Sequence, residues 1–152
     1  MSDNLESLYR EVILDHSRSP QGRGLAEHPI AESHQLNPTC GDEVTVRLHA
    51  DATATRIACV SWTGNGCAIS QASASLMHEV LVQLSADEVT TRIKAFRELM
   101  HSKGTDPGDE ELLGDAVALA GVSKYVARIK CASLAWVAVE DALTRAELTP
   151  AS

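Results

Sequence analysis

The chain has 152 residues and a mass of 16.3 kDa, a size that suits one domain with a buried core. Hydrophobic residues make up 44% and charged residues 22%, a globular composition that excludes disordered and fibrous chains. The formal net charge of −8 argues against nucleic acid or an anionic membrane surface as the main partner. Because the apolar stretches are too short to span a bilayer and the acidic N-terminus is unlike a signal peptide, we expect one cytoplasmic domain over residues 1–152.

The N-terminal part predicts a helix and then an extended segment. Apolar residues from Leu5 to Ile13 recur at the spacing of one buried helical stripe, and Pro20 ends that helix. Residues 30–36 are expected to form a short strand.

A pair of antiparallel strands is predicted next. Residues 43–50 alternate between apolar and polar side chains, which is typical of a strand with one buried face. Residues 56–62 form the returning strand, which should end at a sharp bend in the Gly-Asn-Gly run of residues 64–66.

The second half of the chain is predicted to be helical. The Ala- and Ser-rich residues 67–83 form one helix, and Ser85 with Glu88 makes the capping box of another. After a loop, Asp109 caps a helix that should run through Ala120, and a final long helix occupies residues 130–147. A helix, a small antiparallel sheet and then several helices define an α+β fold.

Four cysteines, at positions 40, 59, 67 and 131, are the first candidates for a functional site. No pair has the C-x-x-C spacing of a zinc finger or redox motif, so spacing alone leaves open that they are scattered buried thiols. Cys59 lies inside a predicted strand and is interpreted as a core residue. The other three lie at element boundaries, where the residues of functional sites commonly gather.

Asp42 extends this set to four potential metal ligands. It lies two residues from Cys40 in an extended segment, so both side chains project to the same side. Three thiolates and one carboxylate suit four-coordinate Zn²⁺. Four anionic ligands around a dication leave a net negative charge, which makes Arg128 a useful neighbouring cation and a candidate catalytic residue. The alternative for Asp42 is a turn residue that caps local N–H groups.

Three segments of the chain resemble the cysteine motifs of the IscU/SufU/NifU-N iron–sulfur cluster assembly family. They are residues 37–42 (Asn-Pro-Thr-Cys-Gly-Asp), residues 64–70 (Gly-Asn-Gly-Cys-Ala-Ile-Ser) and residues 128–131 (Arg-Ile-Lys-Cys). The likeness extends over roughly residues 5–146. Three ordered motifs in matching contexts are far more specific than any one of them, and they favour a metal site over scattered thiols.

The resemblance is to the SufU branch rather than to the scaffold branch. Scaffold members carry a His directly before the last cysteine and a Leu-Pro-Pro-Val-Lys motif upstream. Here Lys130 precedes Cys131, and residues 122–126 read Val-Ser-Lys-Tyr-Val. The separation of Cys67 and Cys131 is also longer than in scaffold members.

The resemblance implies a fold, a ligand set and partners. It implies a three-stranded antiparallel sheet with about five or six helices, and a zinc site made by Cys40, Asp42, Cys67 and Cys131. Cys40 would accept persulfide sulfur from a SufS-type (type II) cysteine desulfurase, and a SufBCD-type assembly complex would receive it. The chain would then be a sulfurtransferase-type carrier that acts as co-substrate and activator of the desulfurase.

Two other functions stay open at this point. A scaffold would build an iron or 2Fe–2S cluster on the same ligands, since thiolates also suit such clusters. A binding module would hold purely structural zinc, although structural sites are usually closed and rich in C-x-x-C knuckles.

Overall fold

The computed structural model describes residues 2–38 and 41–146, with side chains described from residue 5 onward. Within these residues, five α-helices, three strands and one 3-10 helix follow one another. Their bounds are α1 Ser2–Arg18, β1 Ala31–Asn37, β2 Asp42–Ala50, β3 Ile57–Asn65, α2 Ala68–Val80, α3 Ala86–His101, α4 Glu110–Leu113, the 3-10 helix Gly114–Lys124 and α5 Val126–Arg145.

The three strands form one antiparallel sheet in the order β1-β2-β3. One face of β2 carries Val44, Val46 and Leu48, which are buried, whereas the residues between them are only partly covered. Helices α2 and α5 contact the sheet and each other. The expected α+β fold, with a three-stranded antiparallel sheet and five α-helices, is confirmed.

The third strand continues beyond its predicted end. The Gly-Asn-Gly run was expected to bend the chain, but β3 extends through Asn65, and Gly64 pairs with Val44 of β2. A Cβ atom on Gly64 would collide with the backbone carbonyl of Glu43. The glycine is therefore needed because two strands approach closely there, and only Gly66 and Cys67 separate the end of β3 from α2.

The predicted helix from Asp109 to Ala120 is only partly correct. The Asp109 side chain accepts a hydrogen bond from the Glu111 backbone N–H at 3.0 Å, as a cap should. However, Gly114 has a φ of +52° and ends the α-helix after one turn. The chain then continues as a 3-10 helix to Lys124, past the predicted stop.

The last helix begins four residues earlier than predicted, at Val126. Tyr125 is extended, with φ −121° and ψ 103°, and serves as the N-cap residue. This start places Arg128 in the first turn of α5 and Cys131 in the second. The shift matters for the candidate site, because both residues lie on one rigid element.

The core is built mainly from aliphatic side chains with a few aromatic anchors. Phe96 of α3 stacks on Trp136 of α5, with ring centroids 4.1 Å apart and planes 4° apart. Trp62 of β3 is fully buried and donates its indole N–H to the Gln21 carbonyl at 2.8 Å. Among the described residues, no helix has the length and apolar character needed to cross a membrane.

The first helix is fixed to the second by a histidine. His16 Nδ1 lies 2.6 Å from Ser75 Oγ, and His16 Nε2 lies 3.1 Å from Glu79 Oε1. The Ser75 hydroxyl also accepts a hydrogen bond from the Gln21 backbone N–H at 2.7 Å. These contacts give His16 a structural role between α1 and α2.

Candidate metal centre

Three of the four predicted ligands meet at one edge of the sheet. Asp42 opens β2, Cys67 is the N-cap residue of α2, and Cys131 lies in the second turn of α5. One potential ligand atom from each lies within 4.8 Å of the other two. The fourth predicted ligand, Cys40, lies outside the described residues. The structure thus brings together three side chains that are 25 and 64 positions apart in the sequence.

The Asp42 carboxylate is buried and is held by the backbone of Cys67. Its Oδ1 accepts a hydrogen bond from the Cys67 N–H at 3.2 Å, and its Oδ2 lies 3.9 Å from Cys67 Sγ. Only 3% of the residue is exposed. The N–H group that donates to Asp42 belongs to a residue 25 positions away, so this contact is not a local turn cap.

Gly66 makes this approach possible. A Cβ atom at that position would come within 2.7 Å of Asp42 Oδ1 and would collide with the hydroxyl of Ser70. The Ser70 hydroxyl donates to the Cys67 carbonyl at 3.0 Å and so braces the first turn of α2. The sequence analysis assigned the glycines to a bend and did not predict the contact of Ser70 with Cys67. The signal for that contact is a serine three residues after the cysteine that begins the helix.

The two cysteines differ in exposure. Cys67 is half-buried at the N-terminus of α2. Cys131 is buried, and its thiol donates to the Ala127 carbonyl at 3.6 Å. Cys67 is therefore the more accessible residue of the two.

The three donors suit a zinc ion in number and chemistry. Thiolate sulfur binds Zn²⁺ at ~2.3 Å and carboxylate oxygen at ~2.0–2.2 Å, so ligand atoms around one tetrahedral ion lie roughly 3–4 Å apart. The observed spread of no more than 4.8 Å is within reach of that geometry by small side-chain rotations. Two of the three donors belong to buried residues, where unpaired anions are costly.

Arg128 is exposed on the first turn of α5, one helical turn before Cys131. Within residues 2–38 and 41–146, its guanidinium group forms neither an ion pair nor a hydrogen bond. Its predicted catalytic role is not tested by this placement and stays a prediction.

The interpretation of Cys59 as a core residue is wrong. It is half-buried on the outer face of β3, opposite His49 of β2, whereas Val60 and Trp62 point into the core. The register of the sheet places this thiol away from the three converging donors. Burial raises the pKa of the Cys59 thiol, and burial together with nearby Arg47 lowers the pKa of His49. The thiol is therefore protonated and weakly reactive at neutral pH.

Replacing Cys59 by alanine should therefore have little effect on stability and none on metal content. Because the side chain is only partly buried, we expect Cys59→Ala to cost less than about 1 kcal/mol in the free energy of unfolding. Metal content should equal that of the unmodified chain. Chemical denaturation and metal analysis of the purified variant would check both expectations, and a loss of metal would show that Cys59 belongs to the site.

The sheet, the helices on its inner face and the Asp-Cys-Cys group at its edge together define an α+β domain with a candidate metal centre. The chain belongs to the NifU-like N terminal domain family, whose match covers residues 8–132. This confirms the resemblance predicted from the three cysteine motifs.

Relatives and solved structures agree with that assignment. The chain is 39% identical over 144 residues to the zinc-dependent sulfurtransferase SufU of Bacillus subtilis (strain 168), covering 95% of each chain. It is 38% identical to the iron–sulfur cluster assembly scaffold protein IscU of Streptococcus pyogenes serotype M1, covering 93% of this chain and 86% of that one. The structure of a protein from Fervidobacterium islandicum AW-1, described as an iron–sulfur cluster assembly scaffold protein for the SUF system (FiSufU), has a TM-score of 0.78 and 34% identity, covering 88% of this chain and 94% of that one.

Proposed function

We propose that the chain is an iron–sulfur cluster assembly protein that accepts sulfur from a type II cysteine desulfurase. The observation that carries this proposal is the convergence of Asp42, Cys67 and Cys131 within 4.8 Å at the edge of the sheet. Cys40, two residues before Asp42, completes the proposed zinc ligands. The similarity to a relative named as a zinc-dependent sulfurtransferase supports the same function.

The transfer of persulfide sulfur requires a thiolate on the accepting chain that is protected from other reactions. Bound zinc would keep the cysteine ligands deprotonated at neutral pH. The Cys40 thiolate then attacks the terminal sulfur of the persulfide on the desulfurase. A bond forms between Cys40 Sγ and that sulfur, and the bond to the desulfurase cysteine breaks. The desulfurase cysteine leaves as a thiolate with the electron pair, so one sulfur atom moves with no net oxidation or reduction.

Cys40 is the proposed acceptor because its position in the chain differs from that of the other two cysteines. Cys67 and Cys131 lie at the start of α2 and within α5, so their backbones are fixed by helices and each sulfur can move only as far as a side-chain rotation carries it. Cys40 lies in the connection between β1 and β2. We assign Cys67, Cys131 and Asp42 to metal binding and Cys40 to both binding and transfer.

Arg128 is proposed to support the reaction electrostatically. The four anionic ligands exceed the charge of a divalent ion, and the protein as a whole carries a net charge of −8. An exposed guanidinium one turn before Cys131 offsets this local negative charge. It is also available to contact the persulfide or an acidic group of the partner.

The proposed partners follow from this chemistry. A SufS-type cysteine desulfurase supplies the persulfide, and a SufBCD-type assembly complex receives the sulfur. We place the reaction in the cytoplasm. The acidic surface makes nucleic acid and anionic membranes poor partners.

Cluster scaffolding is the second candidate, and it has support of its own. A relative of almost equal identity, 38%, is named as a scaffold protein, and the same thiolates could hold a 2Fe–2S cluster. Lys130 stands directly before Cys131, where scaffold members carry a histidine. That substitution, together with the altered upstream motif, favours sulfur transfer.

Two measurements test the proposed function. Metal analysis of the purified chain should find one zinc per chain and no visible chromophore, whereas a brown protein with iron and sulfide would indicate a scaffold. Addition of the chain to a type II desulfurase and cysteine should then accelerate alanine formation. Bound zinc without any acceleration would contradict sulfur transfer and leave a structural zinc module.

Replacement of Asp42 tests its hydrogen bond with Cys67 and its proposed bond to zinc separately. Asp42→Ala should weaken zinc retention and also cost about 1 kcal/mol in the metal-free chain, because the Cys67 N–H loses its acceptor. Asp42→Asn keeps an oxygen for that N–H but is a poor zinc ligand, so it should lose zinc with little change in metal-free stability. Competition with a chelator and thermal unfolding would measure both. Full zinc retention in both variants would remove Asp42 from the ligand set.

A further inference from the structure

The two helices that carry Cys67 and Cys131 are joined by one buried hydrogen-bond network. Ser73 of α2 donates its hydroxyl hydrogen to the carbonyl of Ala132, the residue that follows Cys131. The indole N–H of Trp136 donates to the same hydroxyl oxygen at 3.0 Å. Ser73 is fully buried, so no water competes for these bonds.

This network is held in place from the far side. Trp136 is 2% exposed and stacks on Phe96 of α3. The indole therefore cannot rotate away from Ser73 without opening the core. Its N–H fixes the Ser73 hydroxyl, whose own hydrogen points at α5. The network thus specifies how far α5 slides and rotates against α2.

Within residues 2–38 and 41–146, no other side-chain hydrogen bond joins α2 directly to α5. Between the two helices, the small cavity at Cys131, about 10 Å³ in volume, is lined by Ala74 of α2 and Ala135 of α5, along with Ser70, Gln71 and Leu134. Small side chains allow the two helices to approach closely, but methyl contacts do not fix a register. A hydrogen bond to the carbonyl next to Cys131 does.

We propose that Ser73 is a positioning residue for the metal centre, which rests on the zinc site of the proposed function. Its bond to Ala132 holds Cys131 Sγ at ligand distance from Cys67 Sγ, less than two helical turns from Ser73 along α2. Ser73 acts through the packing of α2 against α5, as outer residues of metal sites orient the ligands.

Ser75 provides a matched control on the same helix. It is also a fully buried serine, and its hydroxyl also has two partners, His16 and Gln21. Those partners belong to α1 and the segment after it, not to α5. Ser73→Ala and Ser75→Ala therefore remove equivalent groups from α2, but only the first releases the helix that carries Cys131.

The test measures metal without any partner enzyme. Zinc release to a chromophoric chelator should be about tenfold faster or more in Ser73→Ala, at a temperature well below unfolding of either variant. Ser75→Ala should release zinc at close to the rate of the unmodified chain, even where its melting temperature falls equally. With Co²⁺ as a spectroscopic probe, Ser73→Ala alone should shift the ligand-field bands, which report the geometry of the ligands.

Equal zinc release and equal Co²⁺ spectra in the two serine variants would overturn the positioning role while leaving sulfur transfer intact. Failure of the unmodified chain to bind either metal would overturn both proposals. If Ser73→Ala does not fold, the double variant with Trp136→Phe replaces it, because no unpaired indole N–H is then buried. That double variant should show the same fast release, and slow release from it would contradict the proposal.

Discussion

Removal of the metal should lower the melting temperature of the chain by about 8–16 °C. A ligand present at 1,000 times its Kd stabilises the folded state by about 4.1 kcal/mol. For a chain of this size, each kcal/mol corresponds to a change of roughly 2–4 °C. The structural reason is that the donors come from β2, α2 and α5, so one ion ties three elements together. Without the ion, the Asp42 carboxylate and the Cys131 sulfur remain buried with no metal to bind.

Scanning calorimetry of the chain before and after chelation would measure this shift, with metal analysis to verify removal. A Cys59→Ala variant should show the same shift, since Cys59 lies on the opposite face of the sheet. A Cys131→Ser variant should show little or none, because it lacks a ligand from the start. An unchanged melting curve after complete metal removal would contradict a stabilising metal site.

Cys40→Ser should abolish the acceptance of sulfur by the chain. A serine hydroxyl is close to a thiol in size, yet it is not a thiolate at neutral pH and forms no persulfide. The variant also loses one of the four proposed zinc ligands and with it some zinc affinity, but Asp42, Cys67 and Cys131 remain, so the chain should still fold. Cys59→Ser is the matched control and should accept sulfur at the rate of the unmodified chain.

Transfer of radiolabelled sulfur from cysteine, in the presence of a type II desulfurase, would measure the effect of Cys40→Ser. Cys67→Ser and Cys131→Ser keep the proposed acceptor thiol, so they should lose sulfur transfer only to the extent that they lose zinc and stability. Sulfur transfer that persists in Cys40→Ser but disappears in Cys67→Ser would move the acceptor role to Cys67.

The elements with a regular pattern could be predicted from the sequence. The alternation over residues 43–50 gave the buried face of β2, and the Ser85 capping box is present in α3, with the Glu88 N–H donating at 3.2 Å. The resemblance of the three cysteine motifs to a known family predicted that Asp42, Cys67 and Cys131 would meet, as they do. The spacing of the cysteines alone did not predict it.

The failures have a common physical cause, which is contact between segments distant in sequence. Gly64 and Gly66 looked like bend residues, but close approach of Glu43 and Asp42 explains them. The side of the sheet on which Cys59 lies depends on the strand register, which a short apolar run does not fix. Ser73 resembled any other small residue of an Ala- and Ser-rich helix. Only the packing of α5 reveals its hydrogen bond.

The proposed function requires that the chain carries sulfur on Cys40. Mass spectrometry after incubation of the zinc-loaded chain with a type II desulfurase and cysteine tests it most directly. We expect the gain of one sulfur atom, located on the peptide that contains Cys40 and absent when cysteine is omitted. Persulfide confined to Cys67 or Cys131, or no persulfide with desulfurase turnover unaffected by the chain, would contradict it.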